Sequence, residues 1–319
     1  MIARREVLLG ALALPLVAPP AAARAEQFAG TYAPQATPLG EGIWLVRGAD
    51  EAISFANGGA IANSVIMASD AGAILVDSGP SLRFGEALGA LALRLTGTAV
   101  ARVYITHLHP DHSFGSGAFP GAEIVSLPRT RAEIERDGEG FSDAMYRILS
   151  GWMAGTVPVL PLGTAAEGDV TFGGRTLRLF ARSGHSGADL AVLDISSSTL
   201  IAGDLVFRDR APATPHADIP AWLAALGRLA AIPHRRLVPG HGPPDPGDLA
   251  GIAQTRDWLT WLQGLLDQAV AGGLDMTEAA GQPIPERFAA MAAARSELTR
   301  SVSHFYPALE AALLPRIDL

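Results

Sequence analysis

Three histidines and one aspartate fall within six residues of one segment, residues 106–112, which reads Thr-His-Leu-His-Pro-Asp-His. A short apolar stretch of strand-like composition precedes this segment. In an extended chain, residues two apart point the same way, so His107 and His109 can hold one metal ion together. The proline then turns the chain, and Asp111 and His112 can face a second ion. Because the chain has no cysteine, any metal must be held by imidazole and carboxylate, which zinc accepts.

Three further metal-ligand candidates lie downstream, each at the end of a predicted strand and each flanked by glycine. They are His185, Asp204 and His241. Neighbouring glycines let the backbone approach a crowded centre. A single glycine-flanked histidine in a loop is a weak signal, but the three in order after the first motif indicate one metal centre.

Two other polar residues are candidates for supporting roles. Asp77 is followed by Ser-Gly, and we expect it to hydrogen-bond a liganding imidazole or its loop; a turn-forming aspartate is the alternative. His216 lies in a proline-rich loop, where it could line the substrate pocket or donate a hydrogen bond to a tetrahedral intermediate. A surface-loop histidine is its alternative. His234 and His304 are assigned no role in the site.

The elements that must position these residues are short apolar strands and amphipathic helices, alternating from Ile43 to about Pro239. Ten strands are predicted: Ile43–Val46, Ile61–Ala68, Ala73–Val76, Val103–Thr106, Ile124–Leu127, Val170–Phe172, Thr176–Ala181, Leu190–Ile195, Thr199–Ala202 and Arg236–Val238. The helices predicted among them are Arg83–Leu95, Arg129–Asp137, Phe141–Met153 and one that runs from an N-cap at Asp218 to Ala230. Two similar halves of this kind favour two sheets packed face to face with helices outside.

Beyond the strands, Leu249–Val270 and Glu286–Leu314 are predicted as long helices with no strand between them. The sequence therefore predicts a main domain over residues 26–247 and a helical extension, residues 248–319, packed on that core. An independent helical domain is the alternative.

Composition and charge narrow the class of protein. The chain has 319 residues, of which 49% are hydrophobic and 18% charged, as expected of a globular protein. The formal net charge is −8 and every basic residue is an arginine, without basic clusters. This acidic balance argues against nucleic acid as a partner.

Residues 1–25 have the pattern of a signal peptide for export. Arg4 and Arg5 precede an apolar run, Val7–Pro20, and Ala-Arg-Ala at residues 23–25 offers a cleavage site. The paired arginines indicate the twin-arginine route and a periplasmic destination; an ordinary secretory signal or an uncleaved anchor are the alternatives. The apolar run is too short for a membrane span, so we expect no stable membrane insertion after cleavage.

The order of the polar motifs resembles the metallo-β-lactamase superfamily, whose motifs run Asp, His-x-His-x-Asp-His, His, Asp, His. The matching positions are Asp77, His107, His109, Asp111, His112, His185, Asp204 and His241. The resemblance covers roughly residues 40–244. It implies an α+β fold, a four-layer αβ/βα sandwich with metal ions along one edge.

The resemblance also implies how the side chains divide between two zinc ions. The first ion is assigned to His107, His109 and His185, the second to Asp111, His112 and His241, with Asp204 bridging the two. Asp111 would orient a metal-bound hydroxide and carry a proton, and Asp204 would fix the distance between the metals. Iron or manganese in place of zinc stays open, because the ligand sets overlap.

Several motifs are similar to the quinoprotein relay system zinc metallohydrolases, exported bacterial proteins found alongside pyrroloquinoline-quinone dehydrogenases and cytochromes. The segments concerned are residues 57–63, 77–81, 202–207, 214–223 and 238–243. This similarity implies a functional link to such a dehydrogenase and its cytochrome. It does not identify the substrate.

The sequence thus predicts a dinuclear zinc hydrolase that cleaves an ester, thioester, lactone or amide in a small-molecule substrate. β-Lactam hydrolysis is an alternative. The β-lactamase subclasses that bind metal through a cysteine are excluded, because this chain has no cysteine. The subclass without that cysteine usually also lacks an aspartate at the position of Asp204, which makes this alternative weaker. A glyoxalase II-like thioesterase keeps all seven ligands but needs a cytosolic substrate. Iron-dependent sulfur oxidation or electron transfer, and a non-catalytic accessory role for a quinoprotein, are alternatives from other classes.

Overall fold

Two β-sheets face each other across an apolar layer in the computed structural model, which describes residues 29–313. The predicted signal peptide lies outside the described residues. The first sheet contains β1 Ala36–Gly40, β2 Ile43–Val46, β3 Ser64–Met67, β4 Ala73–Val76, β5 Val100–Tyr104, β6 Glu123–Ser126 and β7 Gly163–Thr164, in that spatial order. Its first four strands pair antiparallel, and β4 to β7 pair parallel.

The second sheet has the spatial order β12-β11-β10-β9-β8. Its strands are β8 Gly168–Phe172, β9 Arg175–Arg182, β10 Asp189–Asp194, β11 Thr199–Phe207 and β12 Arg236–His241. Only β11 and β12 pair parallel. The core between the sheets takes alternate residues of both, for example Val65 and Ile74 from the first and Leu190 and Val192 from the second.

Eight helices are present in the described part of the chain: α1 Leu82–Thr96, α2 Pro110–Ser113, α3 Pro128–Leu149, α4 Ile219–Ala230, α5 Ala250–Ala271, α6 Met276–Ala280, α7 Glu286–Ala289 and α8 Ala294–Leu313. The apolar face of α1 packs on the outside of the first sheet, and α4, α5 and α8 pack on the outside of the second. The order helix, sheet, sheet, helix confirms the predicted four-layer sandwich. Asp218 caps α4, as predicted, by accepting a hydrogen bond from Ala221 N at 3.0 Å.

Two helix predictions were wrong. The segments predicted as separate helices, Arg129–Asp137 and Phe141–Met153, form one helix, α3, followed by a short 3₁₀ turn. The Gly-Glu-Gly sequence between them weakens a helix without ending it, and Gly138 packs closely against Pro158. The predicted helix Glu286–Leu314 is instead split into α7 and α8, because the backbone of Ala292 pairs with residues 209 and 211.

Strand bounds also differ from the prediction at two places near the metal-ligand candidates. β3 begins at Ser64, three residues later than predicted, because Ile61 and Asn63 bond instead to the end of β12. β11 continues to Phe207 and so includes Asp204. Among residues 29–313, none of the helices has the length and apolarity needed to cross a bilayer.

Candidate metal centre

The seven candidate ligands meet at one edge of the sandwich. The segment 106–112 follows β5, His185 lies in the loop between β9 and β10, Asp204 is in β11, and His241 ends β12. All seven are buried. Their potential ligand atoms form two groups, within each of which the atoms lie no more than 4.8 Å apart. The groups are His107, His109, His185 and Asp204, and then Asp111, His112 and His241.

In the first group, three imidazole nitrogens converge on one point. His109 Nδ1 lies 2.9 Å from both His107 Nε2 and His185 Nε2. A tetrahedral zinc ion with Zn–N bonds of about 2.0–2.1 Å holds its nitrogens roughly 3.3 Å apart, close to this spacing. Asp204 Oδ2 lies 3.3 Å from His185 Nε2 and 3.8 Å from His107 Nε2, so it can be the fourth ligand.

In the second group, His112 Nε2 and His241 Nε2 lie 3.4 Å apart. Asp111 Oδ2 is 3.7 Å from the first of these nitrogens and 3.4 Å from the second. The other carboxylate oxygen of Asp204, Oδ1, is 3.1 Å from His112 Nε2 and 3.3 Å from His241 Nε2. Asp204 therefore turns one oxygen towards each group.

A buried atom tests whether cations fit between these side chains. Asp204 Oδ1 is buried and accepts no hydrogen bond from the described residues. A buried carboxylate oxygen without a partner is costly, and a cation next to it removes that cost. The carboxylate also needs glycine at position 240, since a Cβ there would lie 1.9 Å from Asp204 Oδ1. The donor set and this oxygen both fit a pair of divalent cations.

Burial and mutual repulsion keep the first group of histidines neutral. Burial, together with the neighbouring imidazoles, lowers the pKa of His107 and His109 well below the usual value. Burial likewise lowers the pKa of His185 to about 4, although Asp204 opposes the shift. Neutral imidazole is the form that binds metal.

In the second group the carboxylates shift the pKa values of the histidines in the opposite direction. Burial raises the pKa of Asp111 and Asp204, but the adjacent imidazoles outweigh it and hold both pKa values below the usual range. Burial lowers the pKa of His112 and His241, yet Asp204 and its neighbours raise both above the usual value. The centre therefore attracts positive charge.

Asp77 fixes the orientation of two histidines, one in each group. Its Oδ2 accepts hydrogen bonds from His112 Nδ1 at 2.7 Å and from Thr106 Oγ1 at 2.9 Å. Thr106 Oγ1 in turn lies 2.9 Å from His107 Nδ1 and accepts a hydrogen bond from it. Both imidazoles consequently turn Nε2 towards the centre, where it would bind a metal ion. Asp77 also has the positive φ, 63°, of a tight turn, so it plays the turn role as well.

His216 makes a contact that the sequence did not reveal. Its Nδ1 lies 2.9 Å from His109 Nε2, although the residue as a whole is exposed. Burial lowers the pKa of His216, so the ring is neutral and Nδ1 can accept a proton. Because His109 turns its Nδ1 to the centre, its Nε2 carries the hydrogen that His216 accepts. His216 therefore lies in an exposed loop, as the surface-loop alternative expected, and it also lines the pocket and contacts a candidate ligand.

Asn63 is a site residue that the sequence reasoning missed. Its Nδ2 donates to Pro239 O at 2.8 Å and Gly242 O at 2.9 Å, on either side of His241. Ile61 O accepts from His241 Nδ1 at 2.8 Å. The segment before β3 therefore holds the end of β12 in place. The sequence offered one signal for this role: Asn63 lies in the segment 57–63, which is among the segments similar to the quinoprotein relay hydrolases.

A pocket of about 410 Å³ opens onto the centre. His109, Asp111, Asp204 and His241 form its floor. Its walls are mainly apolar: Ala52, Ile53, Ile61, Pro110, Phe141, Ala144, Met145, Ile148, Ala213 and Pro215. The pocket is large enough for a small molecule, and Asp111 is a polar group that such a molecule would meet at the floor.

Comparison with known proteins gives three kinds of match. The family described as "Metallo-beta-lactamase superfamily" matches residues 57–241. "Metallo-beta-lactamase domain-containing protein 1" of Xenopus laevis is 30% identical over 154 residues, which cover 46% of this chain and 55% of that protein. "Beta-lactamase-like protein 2 homolog" of Caenorhabditis elegans is 23% identical over 184 residues, 57% of this chain and 56% of that protein. The chain thus spans about half the length of the curated relatives it matches.

Among solved structures, a metallo-β-lactamase from Pontibacter korlensis superposes with a TM-score of 0.59 at 21% identity. The superposition covers 71% of this chain and 99% of that one. At this identity the similarity shows a common fold.

Proposed function

The chain belongs to the metallo-β-lactamase superfamily, and from that membership we propose that it is a hydrolase dependent on two zinc ions. The observation that carries the proposal is the position of Asp204, with one carboxylate oxygen towards each group of imidazoles. His107, His109 and His185 would hold one ion, and Asp111, His112 and His241 the other. When bound, two such cations supply a water molecule of lowered pKa and polarise the bond to be cleaved.

Asp111 is the residue that handles the proton in this proposal. It is ionised, it lies at the floor of the pocket, and the two imidazoles beside it stabilise its negative charge. Its carboxylate can accept a proton from a water molecule at the floor and return it to the leaving group. Asp204 keeps the two groups at a fixed separation, and Asp77 holds His107 and His112 in the tautomer that binds metal.

The substrate in this proposal is a small ester, thioester, lactone or amide. The apolar walls of the pocket suit such a molecule, and its floor leads directly to the seven polar side chains. We further propose that the protein acts in the periplasm, in association with a pyrroloquinoline-quinone dehydrogenase and its cytochrome. The signal-peptide pattern of residues 1–25 and the motifs shared with the quinoprotein relay hydrolases support this setting.

Metal analysis and a substrate panel test the proposal. Protein purified from its native host should contain about two zinc ions per chain by elemental analysis. Zinc-loaded protein should hydrolyse at least one member of a panel of lactones, thioesters, phosphodiesters and β-lactams. Asp111→Asn should lower kcat by about 10²–10⁴-fold through loss of the proton acceptor.

The control for this variant is Asp267→Asn, which removes an equally charged but exposed carboxylate on α5. It should leave kcat unchanged. If the protein contains mainly iron and has the optical spectrum of an iron centre, it is an oxidative enzyme and the hydrolase proposal is wrong. No activity on any member of the panel would support an accessory role.

A further inference from the structure

Two arginines line the pocket from elements that contribute no candidate metal ligand. Arg210 follows β11, and Arg300 lies on α8. Glu297 stands between them: its Oε1 is 3.3 Å from Arg210 Nη2, and its Oε1 and Oε2 are 3.1 and 3.0 Å from Arg300 Nη1. Two guanidinium groups share one carboxylate, so this arginine cluster carries one excess positive charge.

Arg210 makes unusually long hydrogen bonds for a buried guanidinium group. The residue is only 1% exposed, and buried cations normally have short, strong hydrogen bonds. All the bonds of Arg210 are long, at 3.3–3.4 Å, to Glu51 O, Ala211 O and Glu297. It can therefore bind a better acceptor that enters the pocket.

Arg300 offers the more accessible half of the cluster. Its side chain is 52% exposed, and only its Nη1 is engaged with Glu297. Within residues 29–313, its Nε and Nη2 donate no hydrogen bond. A planar guanidinium with free donors at the edge of a pocket is suited to paired bonds with a carboxylate.

Most of the remaining lining of the pocket is apolar surface. Phe141, Met145 and Ile148 of α3 and Ile53 of the facing loop provide that surface. A molecule that fills the pocket would thus meet the polar groups of the floor, apolar side chains and, beside α8, excess positive charge.

We propose that the substrate has an apolar body and a free carboxylate separate from the group that is cleaved, and that Arg300 and Arg210 bind this carboxylate. The statement about cleavage rests on the proposed function. The binding of a carboxylate does not, because it depends on the arginine cluster alone.

Calorimetry with a matched pair of probes tests the binding. Zinc-loaded protein is titrated with 4-phenylbutyrate and with the uncharged 4-phenylbutyramide. The carboxylate should bind at least about tenfold more tightly, as expected for hydrogen bonds to a charged group. Arg300→Gln should remove most of this difference, and Arg300→Lys, which keeps the charge but not the paired donors, should retain part of it.

The control is Arg228→Gln, which makes the same charge change at an exposed position on α4. It should preserve the difference between the two probes. A carboxylate that bound only to the metal ions would keep its advantage in Arg300→Gln, and that result would overturn the proposal. Equal binding of the two probes to the unaltered protein would overturn it as well.

Kinetics with matched esters separate this inference from the proposed function. The KM for 4-nitrophenyl hydrogen glutarate should be about tenfold lower than for its methyl ester, and Arg300→Gln should abolish the difference. Hydrolysis of both esters with equal KM would refute the carboxylate site while supporting the hydrolase. Hydrolysis of neither ester nor any member of the substrate panel, with the calorimetric preference intact, would refute the hydrolase and keep the carboxylate site.

Discussion

A single carboxylate, that of Asp77, reaches both halves of the metal centre. It accepts directly from His112 and, through the hydroxyl of Thr106, from His107. Such partners behind a ligand fix the ring and its tautomer. The backbone at Asp77 is left-handed, a conformation that aspartate tolerates better than most residues. We therefore expect changes at this position to affect both ions at once.

Asp77→Asn should weaken metal binding and lower activity by about 10–100-fold each. The amide would place an N–H group against Thr106 Oγ1 or His112 Nδ1, where an acceptor is needed. Competition with a chelator that reports free zinc measures the affinity, and circular dichroism checks the fold. Asp267→Asn serves as control. Unchanged zinc affinity in Asp77→Asn would show that this hydrogen bond has no influence on the metals.

The sequence predicted contacts within one short segment better than contacts between distant loops. The alternation and turn of residues 106–112 correctly indicated which of its side chains would face one another. The contact of His216 with His109 joins residues 107 positions apart, and that of Asn63 with Pro239 joins residues 176 apart. Both depend on loop conformations, which periodicity does not encode. The roles of the seven side chains as metal ligands stay predictions.

At the scale of elements, the two sheets are linked at the end opposite the metal centre. Arg175 on β9 donates to Asp194 on β10 through Nε at 2.9 Å and Nη2 at 2.8 Å. The same guanidinium donates to Gly42 O and Ala68 O, which flank β2 and β3 in the first sheet. This ion pair therefore connects the sheets while their other ends position the metal ligands.

Asp194→Asn should reduce the free energy of unfolding by about 2–3 kcal/mol at pH 7, since it breaks a buried charged pair. Burial raises the pKa of Asp194, but Arg175 and Ser197 outweigh it and lower the pKa. A lowered folded pKa means that the contribution is complete above the unfolded value of about 3.9 and is lost as pH falls through the folded pKa. The difference in the free energy of unfolding between the unaltered protein and Asp194→Asn should thus become smaller below about pH 4.

Urea unfolding at pH 7 and at pH 3 measures this gap. Asp169→Asn, which removes an exposed ion pair with Arg178, should cause a far smaller loss at pH 7. A gap of the same size at both pH values would mean that the ionised form of Asp194 is not what stabilises the fold.

Ten of the twelve strands were predicted, because most of them bury an alternating or continuous apolar run, as β10 and β11 do. The strands β1 and β7 were missed, because both are short and largely exposed. The ends of the helices were harder to predict than the strands. Gly138 sits inside α3 although glycine is a poor helix former, and packing against Pro158 compensates. The break between α7 and α8 comes from backbone pairing with the Arg210 loop, a tertiary contact with no local signature.

At the scale of the whole molecule, the C-terminal helices share one apolar cluster with the second sheet. Trp258 on α5 is fully buried in that cluster, with Phe207 of β11 and Leu298 of α8 among its members. The ring of Trp258 packs edge-on to Phe288 with centroids 5.3 Å apart. Helices that complete a core in this way are expected to unfold together with it. The domain boundary at residues 247 and 248 stays a prediction.

Trp258→Ala should lower the free energy of unfolding by about 3–5 kcal/mol, the usual cost of removing a large buried ring. Trp261→Ala is the matched control and should cost less, because Trp261 is only partly buried. Urea unfolding followed by circular dichroism should show one transition in all three proteins. Two transitions, with only one shifted by Trp258→Ala, would instead make residues 248–319 an independent domain.

The pairing of Ala292 with the Arg210 loop has a consequence for how this protein could diversify. That pairing fastens the start of α8 beside the pocket, while every candidate metal ligand comes from the sheets and their loops. The part of the pocket wall formed by α8 and the candidate metal ligands are thereby supplied by separate stretches of chain. Mutational libraries confined to residues 294–302 should therefore alter the charged part of the pocket wall at Arg300 and leave every candidate metal ligand unchanged.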